Sequence, residues 1–395
     1  MTRIKTADES LARTYARSPV EIVRGSGAGV WDSEGKSYLD FTAGVAVCAL
    51  GHAHPGVTAA VSDQAARLLH ISNLYYTPVQ TGLAARLTEK SFADRVFFCN
   101  SGAEANEAAI KLARKYFSRK GETGRFKIIS LEGSFHGRTF GAMSATGQEK
   151  IRAGFGPLLE GFDFVPFNDP GALAKKMDES VCAMIMEPVQ GEGGVRVPDP
   201  GYLKEARRVC DENGAFLIFD EIQTGMGRTG TLFAHEAFGA EPDIMTLAKA
   251  LANGLPMGAM LATEKAAAGF SPGDHGSTFG GNPVAAAAAL EVLKEMDRGA
   301  LENCRETGAY FMKKLLDLKD RHEHIRQVRG MGLLLGAELD MEAGGVVAAC
   351  LEKGFLINSV QGNVLRFIPP LIIEKKHIDA LIQCLDGIFG RLNDL

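Results

Sequence analysis

The sequence predicts an α/β fold, with a mainly parallel sheet in a large domain and a smaller α+β domain towards the C-terminus. Through the middle of the chain, short apolar runs typical of buried strands alternate with helical patterns, as in βαβ units. After about residue 301 the pattern changes to longer amphipathic helices and short strands. A chain of 395 residues is long enough for two such domains. We therefore expect a large domain over 46–298, a small domain over 299–395, and an N-terminal segment, 1–45, that packs with the small domain.

The predicted elements follow from runs of apolar residues and from their spacing. In the large domain, the predicted strands are Arg95–Cys99, Phe126–Ser130, Val181–Met186, Ala215–Phe219 and Pro256–Ala262. The predicted helices are Ala103–Phe117, Tyr202–Glu212 and Pro283–Met296, the last with proline in its first turn. Further strands are predicted at Gly332–Leu339, Phe355–Asn358 and Val364–Phe367, and a hairpin around Asp32–Gly35.

Composition and charge exclude several classes of protein. With 46% hydrophobic residues, 23% charged residues and a net charge of −5, the chain resembles a globular enzyme. It lacks the excess of lysine and arginine that binding to nucleic acid or to a membrane surface requires. The seven cysteines are scattered and form no C-x-x-C pair, so we expect reduced thiols that fill the core. Residues 1–17 lack a secretory pattern, and the run nearest to a membrane span, 244–263, is interrupted by Asn253, Gly254 and Pro256. We expect a cytoplasmic protein.

Two candidate sites lie where a predicted strand ends. At Ser101-Gly102-Ala103 a strand gives way to a helix, so backbone N–H groups and the positive end of the helix dipole face the carboxyl edge of the sheet. This geometry suits a phosphate group, although serine is also a common helix cap without any ligand. Asp220 and Glu221 follow another apolar strand, where an acid is either a cap or loop charge or a carboxylate facing a ligand.

Lys249 is the only charged residue between Ile244 and Thr263, in a segment that is otherwise apolar or small. Such surroundings favour the neutral amine, which is the form that attacks a carbonyl to make a Schiff base. The alternative is a lysine whose methylene groups are buried while its ammonium group reaches water.

Three other patterns do not support the site that they superficially match. Residues 225–230 fit G-x-G-x-x-G, but five residues separate them from the preceding strand and no convincing helix follows. A nicotinamide-dependent dehydrogenase, which rests on this match alone, is kept as the alternative from another class. Gly35-Lys36-Ser37 lacks the first glycine of a P-loop. His322-x-His324 has charged neighbours and no third ligand nearby, which predicts a solvated helix face and no metal site.

Three further segments, 134–139, 187–194 and 275–283, place polar residues among glycines. Taken in order with the motifs LGHAHP from residue 50, SNLYY from residue 72 and FCNSGAEANE from residue 98, the sequence resembles the class III, or ornithine-type, aminotransferases. The resemblance extends from about residue 15 to residue 370. It implies fold type I, with a seven-stranded sheet, pyridoxal 5′-phosphate as cofactor and a homodimer with shared active sites.

The resemblance also implies roles for individual residues at the cofactor. Lys249 forms the Schiff base with the cofactor and then acts as general base, and Asp220 pairs with the pyridine nitrogen. The other implied cofactor contacts are Ser101, Gly102 and Ala103 at the phosphate, Phe135 on the ring face, Gln223 at the phenolic oxygen, and Thr278 at the phosphate of the neighbouring subunit.

For the substrates, the resemblance implies that Arg138 binds the α-carboxylate with two parallel hydrogen bonds. Glu192 neutralises Arg366 until the second carboxylate of 2-oxoglutarate displaces it. Tyr15 and Ser277 are expected at the far end of the amino donor. The implied reaction is ping-pong transfer of the terminal amine of N-acetylornithine to 2-oxoglutarate, a step of arginine biosynthesis. Ornithine, succinylornithine and N-succinyldiaminopimelate remain alternative donors.

Overall fold

Fifteen strands form three sheets within residues 10–393, which are the residues described by the computed structural model. Residues 1–9 and 394–395 of the predicted terminal segments lie outside the described residues. The strands are β1 (Ile22–Ser26), β2 (Gly29–Asp32), β3 (Ser37–Asp40), β4 (Arg95–Cys99), β5 (Lys127–Leu131), β6 (Phe162–Val165), β7 (Val181–Met186), β8 (Phe216–Asp220), β9 (Ile244–Leu247), β10 (Gly258–Ala262), β11 (Ile325–Met331), β12 (Leu334–Leu339), β13 (Phe355–Leu356), β14 (Asn358–Val360) and β15 (Val364–Phe367).

The helices surround these sheets. Four of them begin with proline, which suits a first turn because an N–H group at that position has no hydrogen-bond partner within the helix. They are α1 (Pro55–Arg67), α2 (Pro78–Glu89), α3 (Gly102–Arg119), α4 (Phe140–Ser144), α5 (Glu149–Arg152), α6 (Pro170–Lys176), α7 (Tyr202–Glu212), α8 (Ala234–Phe238), α9 (Glu264–Ala267), α10 (Pro283–Glu295), α11 (Leu301–Lys319), α12 (Gly344–Glu352) and α13 (Lys375–Asn393). Shorter turns are Ala43–Ala46, which has left-handed φ angles, Lys249–Ala252 (3₁₀) and Met296–Ala300 (π).

The central sheet has seven strands in the order β4-β10-β9-β8-β7-β5-β6. Strands β9, β8, β7, β5 and β6 are parallel, whereas β10 runs antiparallel to both of its neighbours. Strands β7 and β8 are buried along their whole length, as expected when helices cover both faces of a parallel sheet. The mainly parallel α/β sheet predicted from the sequence is therefore confirmed.

Most predicted elements agree with the structure to within one or two residues, and β4, β7, β15 and α7 have the predicted bounds. Strands β1, β6, β9 and β11 were missed, and the predicted strand at 355–358 is divided into β13 and β14. The helix face predicted for His322 and His324 is wrong, because both residues follow the end of α11 and precede β11. His322 is buried beside Asp386, and the described residues contain no cluster of metal ligands.

The two ends of the chain meet in one of the two smaller sheets, which has the strand order β1-β2-β3-β13. The predicted hairpin is formed by β2 and β3, and β3 pairs in parallel with β13. Strands β11, β12, β15 and β14 form the third sheet. The domain boundaries at residues 45 and 298 remain predictions. All seven cysteines are free thiols, five of them buried, and no described helix has the length and hydropathy needed to cross a bilayer.

Candidate active site

A cavity of about 400 Å³ opens at the carboxyl edge of the central sheet. The ends of β4, β8 and β9 and the loops after β5 and β7 supply its walls, which places it where open α/β sheets bind ligands. Nine of the predicted site residues line it: Ser101, Gly102, Ala103, Phe135, Arg138, Glu192, Asp220, Gln223 and Lys249.

Lys249 follows β9 and lines the cavity with a left-handed backbone, φ 44°. Non-glycine residues rarely adopt this conformation, and such local strain is typical of functional sites. Burial lowers the pKa of Lys249, and Arg366 lowers it further, while the carboxyl groups of Glu192, Asp220 and Glu187 act in the opposite direction. The net shift is downward, so the Lys249 amine loses its proton more readily than that of an ordinary lysine.

Asp220, the last residue of β8, is buried, and side chains from other elements hold its carboxylate. Its Oδ2 accepts a hydrogen bond from Asn106 Nδ2 at 2.7 Å and lies 2.7 Å from His136 Nδ1. Its Oδ1 accepts one from the Ile222 backbone N–H at 3.1 Å. Asn106 is itself fixed, because its Oδ1 accepts from Thr246 Oγ1 at 2.8 Å. The sequence interpretation gave Asn106 and His136 no role, although Asn106 is a polar residue on the buried face of a helix.

Helix α3 begins at the cavity, and its first turn is closed by reciprocal side-chain contacts. Ser101 Oγ accepts from the Glu104 N–H at 3.2 Å, while Glu104 Oε2 accepts from the Asn100 N–H at 2.9 Å. The N–H groups of Gly102 and Ala103 in this first turn have no partner inside the helix and lie at the cavity, an arrangement that suits an anion. A Cβ on Gly102 would lie 2.7 Å from Ile222 Cδ1, so a larger residue does not fit without a shift.

Glu192 and Arg366 form an ion pair between the loop after β7 and strand β15. Glu192 Oε1 lies 2.5 Å from Arg366 Nη1 and accepts a hydrogen bond from Gln223 Nε2 at 3.3 Å. Arg366 is buried, at 1% exposure. Burial raises the pKa of Glu192, but Arg366 and Lys249 outweigh it, so the pKa lies below its usual value and Glu192 carries a charge.

Glu187 is a second buried acid of the cavity wall, directly after β7. Its Oε2 accepts a hydrogen bond from the Phe135 backbone N–H at 3.2 Å. Burial, reinforced by the nearby charge of Asp220, raises the pKa of Glu187 well above its usual value. The sequence interpretation noted this segment without giving Glu187 a role; its position directly after a buried strand, as for Asp220, was the available signal.

Four predicted site residues do not line the cavity of their own chain. Arg366 is connected to it by its ion pair with Glu192, and the other three are Thr278, Ser277 and Tyr15. Thr278 is exposed, and Tyr15 is 75% exposed. Ser277 Oγ accepts hydrogen bonds from Asn100 Nδ2 and from the Gly280 N–H, both at 3.1 Å. The single chain therefore does not bring these three residues together with Lys249.

The two rejected glycine patterns have the structures of turns. Residues 225–230 belong to a series of turns after β8, and the next helix, α8, begins only at Ala234. A dinucleotide fingerprint requires a helix to begin within the motif itself. Residues 35–37 lie at the turn and start of β3 in the N-terminal hairpin.

Comparison with known proteins decides the family. The family described as Aminotransferase class-III matches residues 10–389. The chain belongs to this family. An acetylornithine aminotransferase from Caldanaerobacter subterraneus subsp. tengcongensis is 53% identical over 384 residues, which cover 97% of this chain and 98% of that protein. One from Methanocaldococcus jannaschii is 52% identical over 96% of this chain and 95% of that protein.

Solved structures agree with this membership. The ornithine aminotransferase from Toxoplasma gondii ME49 superposes with a TM-score of 0.96 at 37% identity and covers 99% of this chain and 95% of that one. The N-acetylornithine aminotransferase from Stenotrophomonas maltophilia K279a gives a TM-score of 0.85 at 37% identity, with 99% of each chain covered. Fold type I is thus confirmed, and the protein is a pyridoxal-phosphate-dependent aminotransferase.

The donor set of the cavity fits this cofactor. The start of α3 offers N–H groups for an anionic phosphate, and buried Asp220 offers a fixed carboxylate for a protonated ring nitrogen. Phe135 presents an aromatic ring, and the downward pKa shift of Lys249 favours an amine able to attack an aldehyde.

Proposed function

We propose that the protein transfers the terminal amino group of N-acetylornithine to 2-oxoglutarate, a step of arginine biosynthesis. The products are N-acetylglutamate semialdehyde and glutamate. The observation that carries the proposal is the cavity that Lys249 and Arg138 line together with Glu192, which is paired with the buried Arg366. Such a cavity has cations for both carboxylates of 2-oxoglutarate. The names of relatives at 52–53% identity over nearly the whole chain support this donor.

When bound, pyridoxal 5′-phosphate supplies an aldehyde and a ring that accepts electrons from the reacting carbon. Lys249 Nζ would hold this aldehyde and, once displaced by the donor amine, would move the proton from the δ-carbon of N-acetylornithine to the cofactor. In the second half-reaction the same Nζ would move a proton from the cofactor to the α-carbon of the glutamate skeleton. Asp220, held by Asn106 and His136, keeps a proton on the ring nitrogen.

The remaining cofactor contacts orient the ring. Gly102 and Ala103 would donate backbone N–H groups to the phosphate, beside Ser101, while Phe135 would cover one face of the ring and Gln223 would donate to its phenolic oxygen. These assignments rest on the position of all five residues in the cavity wall.

Thr278 binds the phosphate of a neighbouring subunit, so the active unit is a homodimer. Two observations support this proposal: Thr278 is exposed in the single chain, and large apolar side chains near it in sequence or space are exposed as well. Leu74 is 85% exposed, Tyr76 93% and Phe279 60%. Light scattering at assay concentration is expected to give the mass of two chains, and a monomer with full activity would contradict the shared site.

Arg138 binds the α-carboxylate of each substrate. Glu192 neutralises Arg366 while the donor is bound and turns away when the second carboxylate of 2-oxoglutarate arrives, because a buried guanidinium without a counter-charge is costly. Tyr15 and Ser277 contact the acyl end of the donor across the subunit interface, since both lie outside the cavity of their own chain. The seven free thiols support a reducing compartment, the cytoplasm.

The test is a comparison of kcat/KM for N-acetylornithine, ornithine, succinylornithine and N-succinyldiaminopimelate, each with 2-oxoglutarate. N-acetylornithine is expected to give the highest value, with parallel double-reciprocal lines as ping-pong kinetics require. A higher value for another donor overturns the substrate assignment, and intersecting lines overturn the two half-reactions.

A further inference from the structure

Arg138 lines the cavity, yet its own side chain has few contacts to hold it. Among the described residues it makes no hydrogen bond or ion pair, and its guanidinium carbon lies 5.7 Å from the centre of the Phe135 ring. The residue is exposed towards the cavity. Where its guanidinium lies in the absence of substrate therefore depends on how firmly the backbone around Arg138 is fixed.

Glu107, on α3, fixes that backbone on its C-terminal side. Glu107 Oε1 accepts hydrogen bonds from Thr139 Oγ1 at 2.6 Å, from the Gly141 N–H at 2.9 Å and from the Ala142 N–H at 3.2 Å. Thr139 directly follows Arg138, so one carboxylate holds the next residue and the first turn of α4. The contact is close, because a Cβ on Gly141 would lie 2.3 Å from Glu107 Oε2.

The preceding residue of α3 fixes the other side of the loop. Asn106 Nδ2 donates to the His136 carbonyl at 2.7 Å, two residues before Arg138. Gly137, between them, packs so tightly that a Cβ there would lie 2.8 Å from Ala103 Cβ. Asn106 and Glu107 thus hold the Arg138 loop from both sides, and the helix that carries them also begins at the proposed phosphate site.

We propose that Glu107 is a positioning residue that holds Arg138 where it meets the substrate α-carboxylate, and thereby makes the enzyme selective for amines that carry this group. The proposal rests on the function proposed above for Arg138. Helix α3 then sets both the cofactor phosphate and the carboxylate clamp in one rigid frame. Small displacements of such groups are costly, since a misplacement of about 1 Å can reduce a rate by about 100-fold.

The test compares two donors in the Glu107→Ala holoenzyme. N-acetylputrescine is N-acetylornithine without its carboxylate, so only the latter uses Arg138. We expect kcat/KM for N-acetylornithine and for 2-oxoglutarate to fall by about 10- to 100-fold, mainly through a higher KM, because the substrate carboxylate is the group that Arg138 binds. The kcat/KM for N-acetylputrescine is expected to stay within about twofold of wild type, as is the visible spectrum of the bound cofactor. In Glu107→Gln, the amide oxygen can still accept the hydrogen bonds from Thr139, Gly141 and Ala142, so this variant is expected to keep most of the wild-type affinity for N-acetylornithine and 2-oxoglutarate.

Two controls separate positioning from general loss of stability. Asp169→Ala removes the cap of α6, where Asp169 Oδ1 accepts from the Ala172 N–H at 2.8 Å, outside the cavity, and is expected to leave both KM values unchanged. In an Arg138→Ala background, Glu107→Ala is expected to cause no further loss of kcat/KM for N-acetylornithine. The positioning role is overturned if Glu107→Ala reduces kcat/KM equally for both donors. It is also overturned if Glu107→Ala causes its full loss of kcat/KM in the Arg138→Ala background. Wild-type inactivity with N-acetylornithine overturns the proposed function as well, whereas an active wild type with unchanged KM in Glu107→Ala overturns the positioning role alone.

Discussion

Glu192 Oε1 lies 2.5 Å from Arg366 Nη1, which pairs a charge on the loop after β7 with a buried charge on β15. Removing the carboxylate leaves Arg366 without a counter-charge in a site from which water is largely excluded.

Glu192→Ala is therefore expected to change the two half-reactions in opposite directions. Binding of 2-oxoglutarate becomes tighter, because its second carboxylate no longer has to displace Glu192, while N-acetylornithine reacts less efficiently against an unpaired cation. Stopped-flow measurement of each half-reaction gives the two rates separately. Equal effects on both would refute the switch.

Lys249→Ala is expected to reduce turnover by at least about 10³-fold, because both the covalent attachment and the proton transfer depend on Nζ. After borohydride reduction, the wild-type chain should gain the mass of the cofactor and the variant should not. Lys265→Ala, an exposed lysine on α9, is the matched control and should behave like wild type in both assays. Cofactor mass retained on the Lys249→Ala chain would place the attachment elsewhere.

Asp220→Ala is expected to lower the rate of proton removal from the donor by at least about 100-fold, since nothing then keeps the ring nitrogen protonated. Asn106→Leu, which removes one of the contacts to the carboxylate, should have a smaller effect in the same direction. The measurement is the single-turnover rate with donor alone. A variant at position 220 with the wild-type rate would exclude the pairing with the ring nitrogen.

The lowered pKa of Lys249 predicts how fast the cofactor-free protein captures pyridoxal phosphate at different pH values. Only the neutral amine reacts, so the rate rises with pH, with a midpoint below that of an ordinary lysine. The negative charge of Glu192 raises the pKa of Lys249, so Glu192→Gln should move the midpoint to lower pH. A midpoint that moves upward, or one typical of a solvated lysine, would contradict the electrostatics of the cavity.

Gly102→Ala is expected to weaken cofactor binding. The added methyl group would approach Ile222 to 2.7 Å and displace the start of α3, an overpacking that typically costs about 1–3 kcal/mol. Gly124→Ala is the matched control, because a Cβ there would meet no atom within 4 Å. Titration of the cofactor into each apoprotein measures the difference, and equal affinities would show that the α3 start does not hold the phosphate.

Local sequence signals were sufficient for most predicted elements, but four strands, β1, β6, β9 and β11, were not predicted. Strand β9 lies in an apolar run in which no alternation distinguishes strand from helix, and β11 contains Arg326, Gln327 and Arg329, so it lacks the apolar signal of a buried strand. The histidines at 322 and 324 were misjudged because charged neighbours predict exposure, whereas the end of α11 turns His322 inward against Asp386.

The sequence by itself determined the α/β alternation, the strand ends that carry Ser101 and Asp220, and the isolation of Lys249 among apolar residues, because each depends on neighbours a few positions away. Only the tertiary structure decided what holds them. These contacts join residues that lie 31 to 114 positions apart in the sequence. They are the contacts of Asn106 and His136 with Asp220, of Glu107 with Thr139 beside Arg138, and of Gln223 with Glu192. Such contacts follow from the order of strands in the sheet, which no short stretch of sequence encodes.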